Sequence, residues 1–318
     1  MQAAPAASPS PVVLREVGLR DGLQLLARPV PTAFKCDWIL LAYAAGVRHV
    51  DVGTYADAQR LPAMADTAEV VAFATTLPAL RVCVQVHDAE GAARAFDAGV
   101  ALVTLPVAAS DRYGHASVGR DAAGMLRELG RIHALREQRG VATRIEAGIG
   151  TAFSCARLGP TDPQAVLALV RECVALGVDQ IGLADTFGHA EPASVLDLFR
   201  RAREATGGCM LSAHLHGGDD DQLAAVQAAL DAGVTHLDAS LAGMGGSRLV
   251  PGTQGNVCLE AVAALLLRRG VPAGLDLATL QELRRFAGAR PDAYALFGAV
   301  GRAAEEARRR YPLDLAAR

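Results

Sequence analysis

Cys209-Met210-Leu211-Ser212-Ala213-His214-Leu215-His216-Gly217-Gly218 is the stretch that decides the fold. Its first half is short and mostly apolar, as the end of a buried strand should be. Its second half is a glycine loop, and beyond Asp219-Asp220-Asp221 an apolar-periodic run begins at Leu223. The order is strand, loop, helix. Two histidines two positions apart put both imidazoles on one side of an extended chain. They stand at the strand's C-terminal tip, where parallel α/β proteins build their sites. A His-x-His pair alone is a weak signal, as often structural as chemical.

Outward from this stretch the same unit repeats. Candidate strands lie at Val12–Val17, Arg48–Val52, Arg81–Val86, Ala101–Leu105, Thr143–Ala147, Gln180–Ala184, Cys209–Ala213 and Thr235–Ala239. Helical patterns separate them at Phe34–Ala45, Met64–Thr75, Ala89–Ala98, Asp121–Arg139, Asp162–Leu176, Ala193–Thr206 and Leu223–Ala232. Many end at a Gly-Val pair, in which glycine supplies the left-handed residue that stops the helix and valine starts the next strand. Strands alternating with helices pair in parallel through right-handed crossovers. Eight units predict an α/β fold, a (β/α)8 TIM barrel, with a doubly wound sheet as the alternative. No G-x-G-x-x-G follows the first strand, which argues against a dinucleotide fold. Further helical patterns at Cys258–Arg269, Leu277–Gly288 and Asp292–Arg310 supply the last barrel helix and additional C-terminal helices. The expected division is a disordered lead over 1–11, a catalytic barrel over 12–270 and a helical cap packed on it over 271–318.

Composition narrows the class. A hydrophobic share of 51% with 20% charged residues supports a packed core. A net charge of -3 and only 4% aromatic residues leave no basic surface or stacking platform for nucleic acid. Six cysteines with no C-x-x-C pair suit a reducing compartment rather than disulfides or structural zinc. No apolar run is long enough to cross a bilayer, and residues 1–11 carry no secretion signal. A soluble, cytoplasmic protein is expected.

The predicted strand tips collect polar residues. Arg20-Asp21 follow the first strand, Asp51 the second, His87-Asp88 the third and Asp185-Thr186 the sixth. The eighth leads into a glycine-rich loop from Gly243 to Gly255, then Asn256. Two imidazoles with a carboxylate and an amide form a mixed nitrogen and oxygen set. Such a set suits a divalent ion such as Mg2+, Mn2+, Zn2+ or Co2+. Arg112, His115 and Arg120 form a basic group near the predicted mouth that reads first as solvated loop charge, with phosphates as the alternative.

These residues, in this order, resemble the hydroxymethylglutaryl-CoA lyase family of metal-dependent (β/α)8 lyases and aldolases. The carrying motifs are Glu16 to Gln24 (EVGLRDGLQ), Leu183 to Thr186 (LADT), His214-Leu215-His216, Ala242 to Gly246 (AGMGG) and Gly252 to Asn256 (GTQGN). Pro62, Met64 and Asp66 fit the family's second loop. The likeness spans about Val13 to Leu283. It implies Asp21, His214, His216 and Asn256 as metal ligands, with Mg2+ or Mn2+ ahead of Zn2+ or Co2+. It implies Arg20 as the group that stabilises an enolate, and acidic positions at Asp51 and Glu260. It also implies an acyl-CoA substrate and a homodimer.

The chain departs from the pattern in the half that faces substrate. Ser247 stands where the family has a cysteine that takes part in proton transfer, and a hydroxyl lacks comparable acidity near neutral pH. Arg248-Leu249-Val250 replaces a Pro-aromatic-small run, Gly217 an aspartate and Asp51 a glutamate. Cys155 and Cys258 are substitute proton donors by chain position only. The implied reaction is retro-Claisen or aldol cleavage of a 3-hydroxyacyl-CoA, with Arg20, Asp21, Asp51, His214, Ser247 and Glu260 as catalytic positions. Three readings follow: hydroxymethylglutaryl-CoA lyase-like cleavage, a related lyase for a different hydroxy or keto acid, and a non-catalytic metal-binding barrel.

Overall fold

Strands of a fully enclosed parallel sheet usually read as continuous apolar runs. Here they alternate. Leu14 precedes Arg15, Val50 and Val52 flank Asp51, Ile145 and Ala147 flank Glu146, and Leu237 and Ala239 flank Asp238. Period-two alternation sends the apolar set outward against helices and the polar set inward. The interior of this sheet is therefore polar, which the chemistry below requires.

The computed structural model describes residues 12–289, apart from 27–28, 57–58, 156–157, 218, 247–253 and 272. Among the described residues eight parallel strands close into a barrel. They are β1 (Val13–Glu16), β2 (His49–Thr54), β3 (Arg81–Gln85), β4 (Leu102–Ala108), β5 (Arg144–Gly150), β6 (Gln180–Asp185), β7 (Met210–Leu215) and β8 (His236–Ala239). Each pairs with the next, and β8 returns to β1. Closure excludes the doubly wound alternative. The helices are α1 (Thr32–Ala44), α2 (Thr67–Ala74), α3 (Ala89–Asp97), α4 (Asp111–Val118), α5 (Ala122–Arg139), α6 (Pro163–Ala175), α7 (Pro192–Ala205), α8 (Asp219–Asp231), α9 (Leu259–Arg268) and α10 (Leu277–Gly288). The glycines expected to stop helices do so: Gly46, Gly99, Gly140, Gly177 and Gly233 all have positive φ.

All eight predicted strands are present, shifted by a few residues at their ends. The sequence reading missed the two-stranded antiparallel pair Ser154–Cys155 with Gly159–Pro160 and two elements nearer the site. Helix α4 is short, carries a glycine and has no apolar period; Ser110 starts it by accepting from the Tyr113 N–H at 3.4 Å. Residues Gly18–Gly22 form one turn of π-helix rather than a surface turn, with the Val17 carbonyl accepting from the N–H groups of both Arg20 and Asp21. Such turns recur at functional sites, because the extra residue re-aims the side chains around it.

The outward faces of the strands, among them Val50, Val52, Val82, Val84, Ile145, Ile149, Ile181 and Leu183, are buried in the main core. Each such side chain contributes about 1.5–3 kcal/mol. The loop after β2 is fastened by buried Lys35, which donates to the Ala63 carbonyl at 2.7 Å and to Asp66 at 2.5 Å. Helix α10 lies on α1, where Phe286 stacks on Phe34 with centroids 5.0 Å apart. The expected lead over 1–11 and the last expected helix, Asp292–Arg310, lie outside the described residues.

Candidate functional site

Register decides which side chains meet inside the barrel. Arg15 on β1 is level with Asp238 on β8, and Asp238 is level with His214 on β7. All three therefore point inward in one layer. Asp238 takes a two-pronged bond from Arg15, at 2.7 and 2.9 Å, and its Oδ2 lies 3.0 Å from His214 Nδ1. Arg15 also reaches Glu146 on β5 at 2.7 and 3.1 Å, and Gln180 and Ser212 donate to that same carboxylate. Gly182 makes the room: a Cβ there would lie 2.7 Å from Glu146 Oε1. Burial alone would raise the Asp238 pKa, but Arg15 and His214 more than reverse it, so the carboxylate stays ionised well below its usual range.

An ionised Asp238 accepts a hydrogen bond from the His214 Nδ1–H, so Nε2 is the ligand atom that the neutral ring turns to the cavity. His216 Nδ1 lies 3.0 Å from the Gln254 carbonyl, an acceptor only, so this ring also carries its proton on Nδ1. The two Nε2 atoms face one another at 2.9 Å. Asp21 stands with them: one oxygen of its carboxylate and one nitrogen of each ring all lie within 4.8 Å of one another. Two imidazole nitrogens and a carboxylate gathered this closely make a ligand set for a cation. The spacing suits one, since ligands about 2.1 Å from a common ion at roughly a right angle are about 2.9 Å apart. Burial, followed by His214, lowers the His216 pKa to about 4, which keeps that imidazole neutral as a metal ligand must be.

Asp21 is held on every side. Its Oδ1 accepts from Arg20 Nη1 at 2.5 Å and from Gln24 at 2.9 Å, and its Oδ2 from Asn256 Nδ2 at 2.6 Å. Burial raises the Asp21 pKa, but Arg20 and the two imidazoles bring it below the usual value. Asn256 also donates to the Met244 carbonyl at 2.8 Å, so its amide nitrogen bridges the loop after β8 and Asp21. That loop approaches closely only because residue 245 is glycine: a Cβ would lie 1.9 Å from Asn256 Nδ2, and the backbone φ is +140°.

Arg20 is buried between two carboxylates, donating through Nε to Asp51 at 2.7 Å and through Nη1 to Asp21. Burial would lower its pKa, but Asp51 and Asp21 outweigh burial and raise it, so the guanidinium is permanently charged. Glu260 is placed elsewhere. It lies at the start of α9 behind the loop, accepting from the Ala242 N–H at 3.0 Å and from the Cys258 thiol at 3.1 Å. Cys155 donates to Ser110, and neither cysteine lines the mouth. Ser247 and Arg248 lie outside the described residues.

The site opens into a cavity of about 700 Å3 at the C-terminal mouth of the barrel, lined by Arg20, Asp21, His214, His216 and residues from every other strand tip. Arg15, Glu146, Asp238 and Glu16 are the residues that sequence reading passes over. Their signal is a charge in the middle of a short apolar strand. Glu16 is fully buried and accepts from the Gly18 and Leu241 N–H groups, joining the Arg20 turn to the loop after β8. Burial raises its pKa to about 7. Among the described residues no helix is long and apolar enough to cross a membrane.

Comparison with known proteins agrees with this geometry. A family model described as HMGL-like matches residues 12–287. The chain is 32% identical over 279 residues to (R)-citramalyl-CoA lyase of Chloroflexus aurantiacus, covering 85% of this chain and 87% of that protein. It is 29% identical over 274 residues to the 3-hydroxy-3-isohexenylglutaryl-CoA/hydroxy-methylglutaryl-CoA lyase of Pseudomonas aeruginosa, covering 86% and 91%. The fold superposes with a TM-score of 0.83 on an HMG-CoA lyase of Acinetobacter baumannii in complex with coenzyme A and 3-methylmalate. That match is at 28% identity and covers 92% of this chain and 93% of the other.

Proposed function

The chain belongs to the HMGL-like family, and from that footing we propose that it is a divalent-metal-dependent carbon–carbon lyase that cleaves a 3-hydroxyacyl-CoA. The observation that carries the reading is the convergence of the His214 and His216 Nε2 atoms, 2.9 Å apart, with the Asp21 carboxylate at the floor of an open cavity. Asp21, His214 and His216 would hold the ion. Asn256 holds Asp21 in place through its amide nitrogen, and supplies a further oxygen ligand if the amide turns over. A set with nitrogen and oxygen donors and no thiolate favours Mg2+ or Mn2+ over structural zinc. When bound, the ion acts as a Lewis acid that makes a substrate hydroxyl more acidic.

The chain's own residues then carry the proton and the charge. A base, Asp21 or an imidazole not committed to the ion, removes the 3-hydroxyl proton. The C2–C3 bond breaks, C3 becomes a carbonyl, and the electron pair moves onto the thioester as an enolate. Arg20 is placed to stabilise that oxyanion, because its charge is fixed and its Nη2 has no partner among the described residues. Asp51 aims Arg20 through Nε. A proton delivered to C2 releases an acyl-CoA and a ketone or keto acid; Ser247 stands at the family's donor position, and with a hydroxyl there a water or another residue supplies the proton. Glu260 acts at a distance, by fixing Ala242 in the loop.

A second reading keeps the chemistry and changes the acyl group. Identity to the citramalyl-CoA lyase is no lower than to the hydroxymethylglutaryl-CoA lyases, and this favours a short branched hydroxy acid equally. The six free cysteines support a cytoplasmic setting. Incubation of the purified protein with Mn2+ and, separately, hydroxymethylglutaryl-CoA and citramalyl-CoA tests both readings. Release of acetyl-CoA with acetoacetate or with pyruvate is the expected result. No acyl-CoA product from either substrate would overturn the proposal in both forms.

A further inference from the structure

The barrel mouth has two walls, and only one is accounted for. Strand β7, with His214 and His216, lies diametrically across the ring from β3. On the far wall three basic side chains converge. His87 follows β3, Arg60 follows β2, and Arg120 follows α4; all three line the mouth cavity. Arg120 Nη1 donates to the His87 carbonyl at 3.1 Å, and Arg60 Nη2 to the Ser117 carbonyl near the end of α4 at 3.3 Å. Each arginine is tied by one N–H, Arg60 from an exposed position, and has others without a partner among the described residues. The His87 ring makes no hydrogen bond among the described residues. Burial, with Arg60, Arg120 and Arg20 all adding positive charge around it, lowers its pKa to about 4 against the opposing pull of Asp88. Asp88 is the one carboxylate on this wall among the described residues lining the cavity, and it is turned away, accepting from the Gly91 N–H to start α3.

Two guanidinium groups and a neutral imidazole donor on one wall, with no carboxylate of the described lining turned toward them, make a receptor for an oxyanion. We propose that Arg60, Arg120 and His87 form an anion subsite for the end of the substrate remote from the metal ligands, a carboxylate or phosphate group. This rests on the lyase reading, since that reading supplies both anions: the carboxylate of the acyl group and the phosphates of coenzyme A. The subsite selects for charge across the mouth, whereas the opposite wall does the chemistry.

Calorimetric titration of the Mn2+-loaded protein with coenzyme A, pantetheine and 3-methylmalate separates the two sources. In Arg60→Gln/Arg120→Gln the affinity for one anionic probe is expected to fall by about tenfold or more, the effect of losing charged hydrogen bonds. A loss confined to coenzyme A, with pantetheine unchanged, assigns the subsite to phosphate; a loss confined to 3-methylmalate assigns it to carboxylate. The single variants are read in the same way, so a double variant that fails to fold does not remove the test. Arg120→Lys retains part of the affinity, because the charge survives without the planar fork. Affinities for both anionic probes within about twofold of wild type overturn the subsite, as does a wild-type protein that binds neither. If wild type still cleaves its acyl-CoA in that case, the lyase reading stands without the subsite. Variant-sensitive anion binding without cleavage gives the reverse.

Discussion

Arg15 and Arg20 leave the first strand toward the same cavity, both are buried, and each sits between two carboxylates. Arg15 is saturated. Its four bonds go to Asp238 and Glu146, and those carboxylates are closed in turn by His214, Gln180 and Ser212. Arg20 is half-used. It makes one bond to each of Asp51 and Asp21, and Asp51 Oδ1 has no partner among the described residues. An arginine committed to two carboxylates holds geometry, and this one passes its order through Asp238 to the tautomer of His214. An arginine with donors left over can answer a charge that develops during a reaction.

The contrast can be broken by exchanging the two losses. Arg15→Gln strands two buried carboxylates and is expected to cost about 3–5 kcal/mol of stability, read as a drop in the denaturant midpoint. Arg20→Gln is expected to lower kcat by about 10²–10³-fold, with Mn2+ still bound. If Arg15→Gln lost activity at unchanged stability, the division of labour would be wrong.

Much of this was legible in the chain. Strand and helix alternation, and the glycines between, predicted eight βα units because local signals decide them. His214, His216 and Asp21 were legible because each stands at a strand tip in a distinctive motif. The inner layer was not. Arg15, Glu146 and Asp238 are far apart in sequence, and only barrel closure and register place them in contact. The π-turn at Gly18–Gly22 was equally hidden, since no side-chain pattern distinguishes it from a surface turn. Glu260, by contrast, has the residue type of a catalytic acid, yet the fold turns it toward the backbone of Ala242.

Asp238→Asn sharpens the comparison by cutting the line from the saturated arginine to the site. With an amide at 238, nothing forces the His214 proton onto Nδ1. Metal affinity is expected to fall by about 10–100-fold, measured by competition with a chelator, while Arg20 keeps both of its carboxylates. The smallest effect is expected at Glu16, which supports the Arg20 turn from behind. Its pKa rises from 4.5 to about 7 on folding. The raised value means that the folded state keeps this proton after the unfolded state has lost it. Its contribution to stability is therefore full below about pH 4.5 and is lost as pH rises through 7. Glu16→Gln can still accept from Gly18 and Leu241 but has no proton to lose. Wild-type Tm should accordingly decline relative to that variant between those pH values, by at most ~10 °C, and run parallel to it above.

The central claim is that Asp21, His214 and His216 together hold the ion on which cleavage depends. Pulsed electron paramagnetic resonance of bound Mn2+ tests it most directly, by counting the imidazole nitrogens coupled to the metal. The account predicts two in wild type, one in His214→Gln, one in His216→Gln, and acyl-CoA release that falls with each. Mn2+ bound without coupled nitrogen, or coupling unchanged in either variant, would contradict it.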